Sequence, residues 1–175
     1  MPDRRLRAAR LAEIYQRIRE KEELPMEFPP EALREAKTRA ESPLVEGEDL
    51  RQVPFVTIDP PDANDLDQAI AFEERSGGRS RLRYAIADIP GFVVPGGPLD
   101  AEARRRGTTV YCPDHRIPLH PITLSEDAAS LLPGQDRPAI VWELDVDADG
   151  EVERHDVRRA IVRSRERFDY ETVQR

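Results

Sequence analysis

The sequence predicts an α+β fold in which two N-terminal helices precede the first part of a mixed β-sheet with short helices on it. Two observations support this fold class. Apolar residues recur at helical spacing over residues 3–22. From residue 53 onward they occur in short runs or alternate with polar residues, which is the pattern of strands. The length of 175 residues suits one domain, or a small domain with an appendage.

The N-terminal region is predicted to hold a second helix over residues 31–40, with Pro30 close to its first turn. The polar segment 41–50 is interpreted as a linker. We therefore assign residues 1–48 to a helical N-terminal region with its linker, and residues 49–175 to the domain that follows. We interpret the helical region as a packing or dimerisation element, since its charge is not basic enough for a helix-turn-helix that reads DNA.

The second region is predicted to be mainly strands. They are expected at residues 55–58, 69–72, 82–89, 140–146 and 152–162. Asp149-Gly150 is a typical hairpin turn between the last two strands. A short helix over 99–106 is expected to end at Gly107. Asp169 is expected to cap a further helix that starts at residue 170.

Composition excludes several classes of protein. Apolar runs are far shorter than the roughly 20 residues that a membrane helix requires, so no membrane association is predicted. The single cysteine, Cys112, allows no internal disulfide and favours a cytoplasmic location. The net charge of −8 argues against a simple basic nucleic-acid clamp. It still allows an enzyme that holds cations between its carboxylates and a polyanionic substrate.

The stretch TIDPPDANDLDQAI, residues 57–70, carries the most chemical information. Asp59 follows a short apolar run, and Asp62, Asp65 and Asp67 follow within a loop stiffened by two prolines. These carboxylates repel one another unless a hard cation with oxygen ligands, such as Mg²⁺, neutralises them. Bound metal ions of this kind serve phosphodiester hydrolysis. Because Asp-rich turns are common, the spacing by itself leaves both a metal site and a solvated loop open.

The same stretch, together with residues 84–139 (YAIADIPGFVV through DRPA), resembles the N-terminal portion of the ribonuclease II catalytic domain, the RNB domain family. The resemblance extends from about residue 49 to the end of the chain. It implies a mixed-sheet, ribonuclease II-like catalytic domain. It also implies a hydrolytic exoribonuclease that degrades single-stranded RNA from the 3′ end with Mg²⁺ and releases nucleoside 5′-monophosphates.

The resemblance also implies roles for individual residues. Asp59, Asp65 and Asp67 match three of the aspartates of the family's metal site and are the expected catalytic and metal-binding residues. Gln68 occupies the fourth position, where most of the family has aspartate. Its amide oxygen can ligate Mg²⁺ but supplies no charge. Tyr111 lies on the expected path of the RNA, where an aromatic ring can stack on a base, while an ordinary strand-end tyrosine stays open as the alternative.

Two further expectations follow from the resemblance. The family's catalytic domain continues beyond the matched portion, so we expect this chain to be an incomplete piece that is inactive in isolation. Asp62 lies at a position that the family does not require. Two alternatives stay open: a non-catalytic RNA-binding or regulatory protein that keeps the fold, which Gln68 favours, and a structural domain whose acidic loop is merely solvated.

Other polar residues are predicted to have structural roles. Asp88 is expected to cap the turn that follows it rather than bind metal. Arg163, Arg165 and Arg167 are interpreted as mostly a solvated face. The DVDADG sequence at 145–150 resembles the start of a calcium loop, but its flanks alternate like strands and favour a hairpin.

Overall fold

A computed structural model describes residues 3–43 and 46–174 and confirms the α+β fold. Its helices are α1 (Asp3–Lys21), α2 (Pro30–Glu41) and α3 (Pro98–Arg106). Its strands are β1 (Glu48–Asp49), β2 (Val56–Ile58), β3 (Gln68–Glu74), β4 (Ser80–Ala87), β5 (Val110–Tyr111), β6 (Arg116–Ile117), β7 (Asp136–Val146), β8 (Val152–Arg163) and β9 (Glu166–Phe168). Short 3₁₀ turns lie at Ser76–Gly78 and Ile89–Phe92, and a π-helical turn at Leu124–Ala128. Of the helices described, none is long and apolar enough to cross a bilayer.

Within the described part of the chain, seven strands form one mixed sheet in the order β1-β8-β7-β4-β3-β2-β9. The central strands are antiparallel, and β7 and β8 form a long hairpin. The two edges are parallel pairs, β1 with β8 and β2 with β9. Strands β5 and β6 form a separate two-stranded ribbon. This ribbon contains Tyr111 and Arg116.

The hairpin and helix ends follow their local sequence signals. Gly150 has φ +89° in the β7–β8 turn, where Asp147 Oδ1 accepts the N–H groups of Asp149 and Glu151. This arrangement confirms the predicted hairpin. Gly107 ends α3 with φ +74°, as its position predicted.

Three expectations about elements were wrong. The linker at 41–50 contains strand β1, and β9 follows β8 where no strand was expected. The predicted helix at residue 170 is a turn over 170–174. Asp169 does cap this turn, because its Oδ1 accepts the N–H groups of Glu171 and Thr172 at 3.0 and 2.7 Å.

The protein has two apolar clusters. The first covers one face of the sheet and consists mainly of alanine and valine with Phe55, Leu50 and Leu131. The second joins α2 to α3 and to the π-helical turn through Ala32, Ala36, Phe92, Leu99, Leu124, Ala128 and Ala129. Helix α2 therefore packs on the domain, which confirms the packing interpretation for that part of the N-terminal region.

Arg106, at the end of α3, ties the N-terminal region to the domain. Its side chain is 1% exposed and forms a salt bridge with the Glu102 carboxylate, which is 4% exposed, at 2.8 Å. It donates hydrogen bonds to the carbonyls of Pro118 and Glu27 at 3.0 and 2.7 Å. Its guanidinium carbon also lies 3.6 Å from the centre of the Phe28 ring. One side chain thus connects α3, the approach to α2 and the segment after β6.

Candidate functional site

The acidic loop, residues 59–67, connects β2 to β3. Strand β9 holds its first half. The N–H of Asp59 donates to the Phe168 carbonyl at 3.0 Å. The Arg167 guanidinium donates to the carbonyls of Pro61 and Ala63 at 2.8 and 2.7 Å. Arg167 is exposed, as the sequence predicted, but it also shapes the acidic loop, a role that sequence reasoning missed.

The second half of the acidic loop is anchored in the core. Leu66 is fully buried, and its carbonyl accepts the N–H of Leu131 at 2.7 Å. Its own N–H donates to Ser130 Oγ at 3.0 Å, and the same hydroxyl donates to the Asn64 carbonyl at 2.7 Å. Ser130 is 2% exposed, so these bonds are shielded from water. The carboxylates on either side of Leu66 are therefore carried on a fixed backbone.

Replacement of Ser130 by alanine is expected to lower the free energy of unfolding by about 1–3 kcal/mol, because it leaves two loop backbone groups unpaired. Urea unfolding followed by circular dichroism measures this change. Ser125→Ala is the matched control, since Ser125 Oγ is buried but has no hydrogen-bond partner among the described residues. That control should change stability little. Equal losses in both variants would contradict an anchoring role for Ser130.

The three predicted metal-binding carboxylates interact with one another electrostatically. Partial burial raises the pKa of Asp59, and the charges of Asp67 and Asp65 raise it further. Partial burial also raises the pKa of Asp67, with an added contribution from Asp65. The fold thus brings the three side chains into one negative neighbourhood. Across residues 3–43 and 46–174, however, no three histidine, cysteine, aspartate or glutamate side chains are gathered closely enough to hold a metal ion as they stand.

Gln68 lies next to this neighbourhood but is engaged elsewhere. It begins β3 and pairs with Ile86 of β4, so its side chain shares a sheet face with Tyr84 and not with the buried Ala69. The Tyr84 hydroxyl donates a hydrogen bond to Gln68 Oε1 at 2.5 Å. The oxygen that was predicted to ligate a cation therefore already accepts a hydrogen bond.

A pocket of about 300 Å³ opens beside the acidic loop. Asp65 and Asp67 line it together with Tyr111, whose side chain is 75% exposed. Its wall includes His120, and burial lowers the pKa of that imidazole, which favours the neutral form. The structure thus places the predicted RNA-stacking tyrosine in the same pocket as two of the predicted metal ligands.

Arg116 of β6 is the main site residue that the sequence did not reveal. It lines the same pocket, and its Nη1 donates to Asp65 Oδ2 at 2.8 Å. Its Nη2 donates to the Glu126 carboxylate in the π-helical turn. Arg116 lies 51 residues from Asp65 along the chain, so no local pattern signals this pairing.

The surroundings of Asp88 indicate a structural role. It is fully buried, and one carboxylate oxygen lies 3.0 Å from the Arg159 Nε. It does not line the pocket. The predicted capping by its side chain is wrong, because the N–H of Gly91 bonds to the main-chain carbonyl of Asp88 instead.

The sequence model of the RNB domain family matches residues 47–175. The chain belongs to the RNB domain family. It is 42% identical to ribonuclease R of Thermotoga maritima over 153 residues, which cover 85% of this chain and 22% of that protein. It is 44% identical to ribonuclease R of Escherichia coli over 125 residues, which cover 71% of this chain and 15% of that protein. This RNB chain thus spans less than a quarter of the length of either relative.

Solved structures of similar RNB proteins share the fold. RNase R of Mycoplasma genitalium in complex with ribose-methylated single-stranded RNA has a TM-score of 0.81 at 27% identity, over 91% of this chain and 25% of that one. The same enzyme in complex with double-stranded RNA has a TM-score of 0.80 at 27% identity, over 91% and 29% of the two chains. The mixed sheet that carries the acidic loop is therefore the sheet of an RNB protein.

Proposed function

We propose that this RNB chain serves in a cytoplasmic exoribonuclease that hydrolyses single-stranded RNA from its 3′ end. The products are nucleoside 5′-monophosphates, and the reaction depends on Mg²⁺. The observation that carries the proposal is the shared pocket, in which two loop carboxylates, Asp65 and Asp67, lie beside the exposed ring of Tyr111. The ribonuclease R relatives and the RNA-bound structures of the Mycoplasma enzyme support it.

The donor set of the acidic loop fits a hard divalent cation. Asp59, Asp65 and Asp67 offer only oxygen atoms. Partial burial and then the charges of neighbouring aspartates raise the pKa values of Asp59 and Asp67, and a cation among these carboxylates offsets their repulsion. Gln68 is the proposed neutral fourth donor. When bound, such an ion activates water and stabilises the leaving oxygen of a phosphodiester.

The residues of the chain itself position the RNA and the carboxylates. Tyr111 provides a stacking surface worth about 1–3 kcal/mol per base, which tolerates any base because every base has an aromatic face. Ser130 and Arg167 hold the backbone of the acidic loop, so a change in the position of its carboxylates involves the side chains more than the backbone. Neutral His120 adds no positive charge to the pocket wall.

One observation favours a second candidate, an RNA-binding RNB protein without turnover. Gln68 supplies no negative charge, and its oxygen is bonded to the Tyr84 hydroxyl. A site with three carboxylates in place of four binds cations less tightly. RNA binding through Tyr111 does not require the cation, so binding can persist where hydrolysis is lost.

Asp67→Asn is expected to lower the rate of RNA hydrolysis by about 100-fold or more, because several kcal/mol of charge stabilisation depend on a correctly held cation. The full-length protein is incubated with 3′-labelled single-stranded RNA and Mg²⁺, and released monophosphates are separated by chromatography. Asp62→Asn is the matched control in the same loop and should retain most activity.

The same assay, together with a measurement of RNA binding by the same protein, separates the candidates. If the wild type releases monophosphates and Asp67→Asn does not, the exoribonuclease is supported. RNA binding without release supports the non-catalytic RNA-binding protein. If the protein neither binds nor degrades RNA, both candidates are contradicted. A structural domain with a solvated acidic loop then remains.

A further inference from the structure

We propose that Arg116 is a displaceable counter-ion of the acidic loop. It pairs with Asp65 and Glu126 when no cation is bound, and a divalent cation takes its place at Asp65. Arg116 thereby sets the cation concentration at which the site fills. This inference rests on the part of the proposed function that assigns a cation to the acidic loop.

The geometry of the Arg116 pairing suits an exchangeable contact. The guanidinium donates to both carboxylates, with 2.8 Å to Asp65. The side chain of Arg116 is 33% exposed, that of Asp65 39% and that of Glu126 24%. Ion pairs that water can reach contribute little to stability, so their separation costs little. A rigid pairing would be expected to exclude water.

Arg106 provides the contrast within the same protein. Its salt bridge with Glu102 has side-chain exposures of only 1% and 4%. Removal of Arg106 would leave the buried Glu102 carboxylate paired only with Arg105, whose side chain is 54% exposed, and would leave the two backbone carbonyls without their donor. Arg106 is therefore a permanent structural contact, whereas Arg116 lies at the rim of a pocket that a cation can enter.

Arg116 compensates the loop only in part. Within the described part of the chain, neither Asp59 nor Asp67 forms a salt bridge, although both feel the charge of Asp65. The single positive charge of Arg116 therefore faces two carboxylates. Of the two others close by, Asp59 has only the more distant charge of Arg167, and neither forms a salt bridge within the described residues. A divalent cation brings twice the charge and binds carboxylate oxygens directly. After the exchange Arg116 stays paired with Glu126, so neither of these two charges is left without a partner.

The pairing also explains why the carboxylates are not gathered. Arg116 lies on β6 and draws the Asp65 carboxylate toward the ribbon and the π-helical turn. Asp59 and Asp67 belong to the two ends of the loop, next to β2 and β3. Release of Asp65 from Arg116 is thus the step that frees it to join the other two.

The direct test compares cation affinities. Isothermal titration with Mg²⁺, and Mn²⁺ binding followed by electron paramagnetic resonance, are applied to the wild type and to Arg116→Gln. Removal of the competing charge should tighten binding by about three- to tenfold, the range expected for a partly screened charge a few ångströms from the ion. Arg163→Gln is the matched control, because Arg163 pairs with Asp136 and does not line the pocket. Its cation affinity should equal that of the wild type.

The outcomes separate this inference from the proposed function. If the wild type binds cations and Arg116→Gln binds them with equal affinity, the counter-ion role is overturned while the cation site stands. If neither protein binds Mg²⁺ or Mn²⁺, the cation site and the counter-ion role both fail. If Arg116→Gln binds the cation more tightly and a further Asp67→Asn substitution abolishes this binding, the cation site and the counter-ion role are both supported.

A second measurement covers the case in which Arg116→Gln does not fold. The guanidinium N–H signals of arginines in the ¹⁵N-labelled wild type are followed by NMR as Mg²⁺ is added, and Arg116→Lys identifies the Arg116 signal by its loss. Displacement predicts that this signal shifts and exchanges faster with water when the site fills. An unchanged Arg116 signal at Mg²⁺ saturation would overturn the proposal.

Discussion

Replacement of Arg106 by alanine is expected to lower the free energy of unfolding by about 3–5 kcal/mol, the range for removal of one partner from a buried ion pair. The substitution leaves the buried Glu102 carboxylate with Arg105 as its one remaining salt-bridge partner among the described residues, and it leaves the carbonyls of Pro118 and Glu27 without their donor. It also removes the cationic group that packs on the Phe28 ring. Equilibrium unfolding in guanidinium chloride, monitored by circular dichroism, measures the loss.

Arg104→Ala is the matched control for Arg106→Ala, because it makes the same substitution two residues earlier in α3. Arg104 pairs with Asp100 at 3.0 Å, but its side chain is 78% exposed. An exposed pair of this kind contributes about 0.5 kcal/mol or less. Similar losses in the two variants would show that burial does not determine the contribution of these arginines.

Acid should weaken the contact between Arg106 and Glu102 in the wild type. Hydrogen bonds from Arg105 and Arg106 hold the pKa of Glu102 below its usual 4.5. A carboxylate with a lowered folded-state pKa stabilises the protein above its unfolded-state value. This contribution is therefore complete above pH 4.5 and is lost as the pH falls through the folded-state pKa. The stability of Arg106→Ala should depend less on pH in that range.

Leu66→Ala is expected to destabilise the protein by about 2–5 kcal/mol, because it opens a cavity at a fully buried position. The same substitution should weaken cation binding, since the fully buried Leu66 side chain fixes the loop in the core between Asp65 and Asp67. Urea unfolding gives the first quantity, and Mg²⁺ titration at a temperature where the variant is folded gives the second.

Leu33→Ala is the control for Leu66→Ala. Leu33 is 46% exposed on α2, so its truncation should change stability by about 0.5 kcal/mol or less. Cation affinity should not change in this variant. Loss of stability in Leu66→Ala with unchanged cation affinity would contradict a link between the core anchor and the carboxylates.

The elements that the sequence predicted well are those with a local signal. The β7–β8 hairpin follows from alternating apolar residues and from Asp149-Gly150, where Gly150 adopts the positive φ that glycine tolerates. Helix α3 ends at Gly107 for the same reason. In each case the interacting groups lie within a few residues, so the pattern of the sequence contains the physical cause.

The elements that the sequence missed are short and depend on distant partners. Strand β1 has two residues and β9 has three, and neither shows an apolar alternation long enough to indicate a strand. Both exist because a neighbouring strand, β8 or β2, offers a free edge for parallel pairing. Their formation is a property of the assembled sheet, which no local window contains.

The sequence by itself determined the α+β class, the RNB family and the identity of the carboxylates, because these depend on contiguous residues such as 57–70. Only the tertiary structure decided what those residues touch. It places Arg116 on Asp65 across 51 residues of chain, and Arg167 on the Ala63 carbonyl across 104. It also turns Gln68 toward Tyr84. The physical reason is that side-chain pairing requires two groups within about 3 Å, and folding, not sequence proximity, brings these groups together.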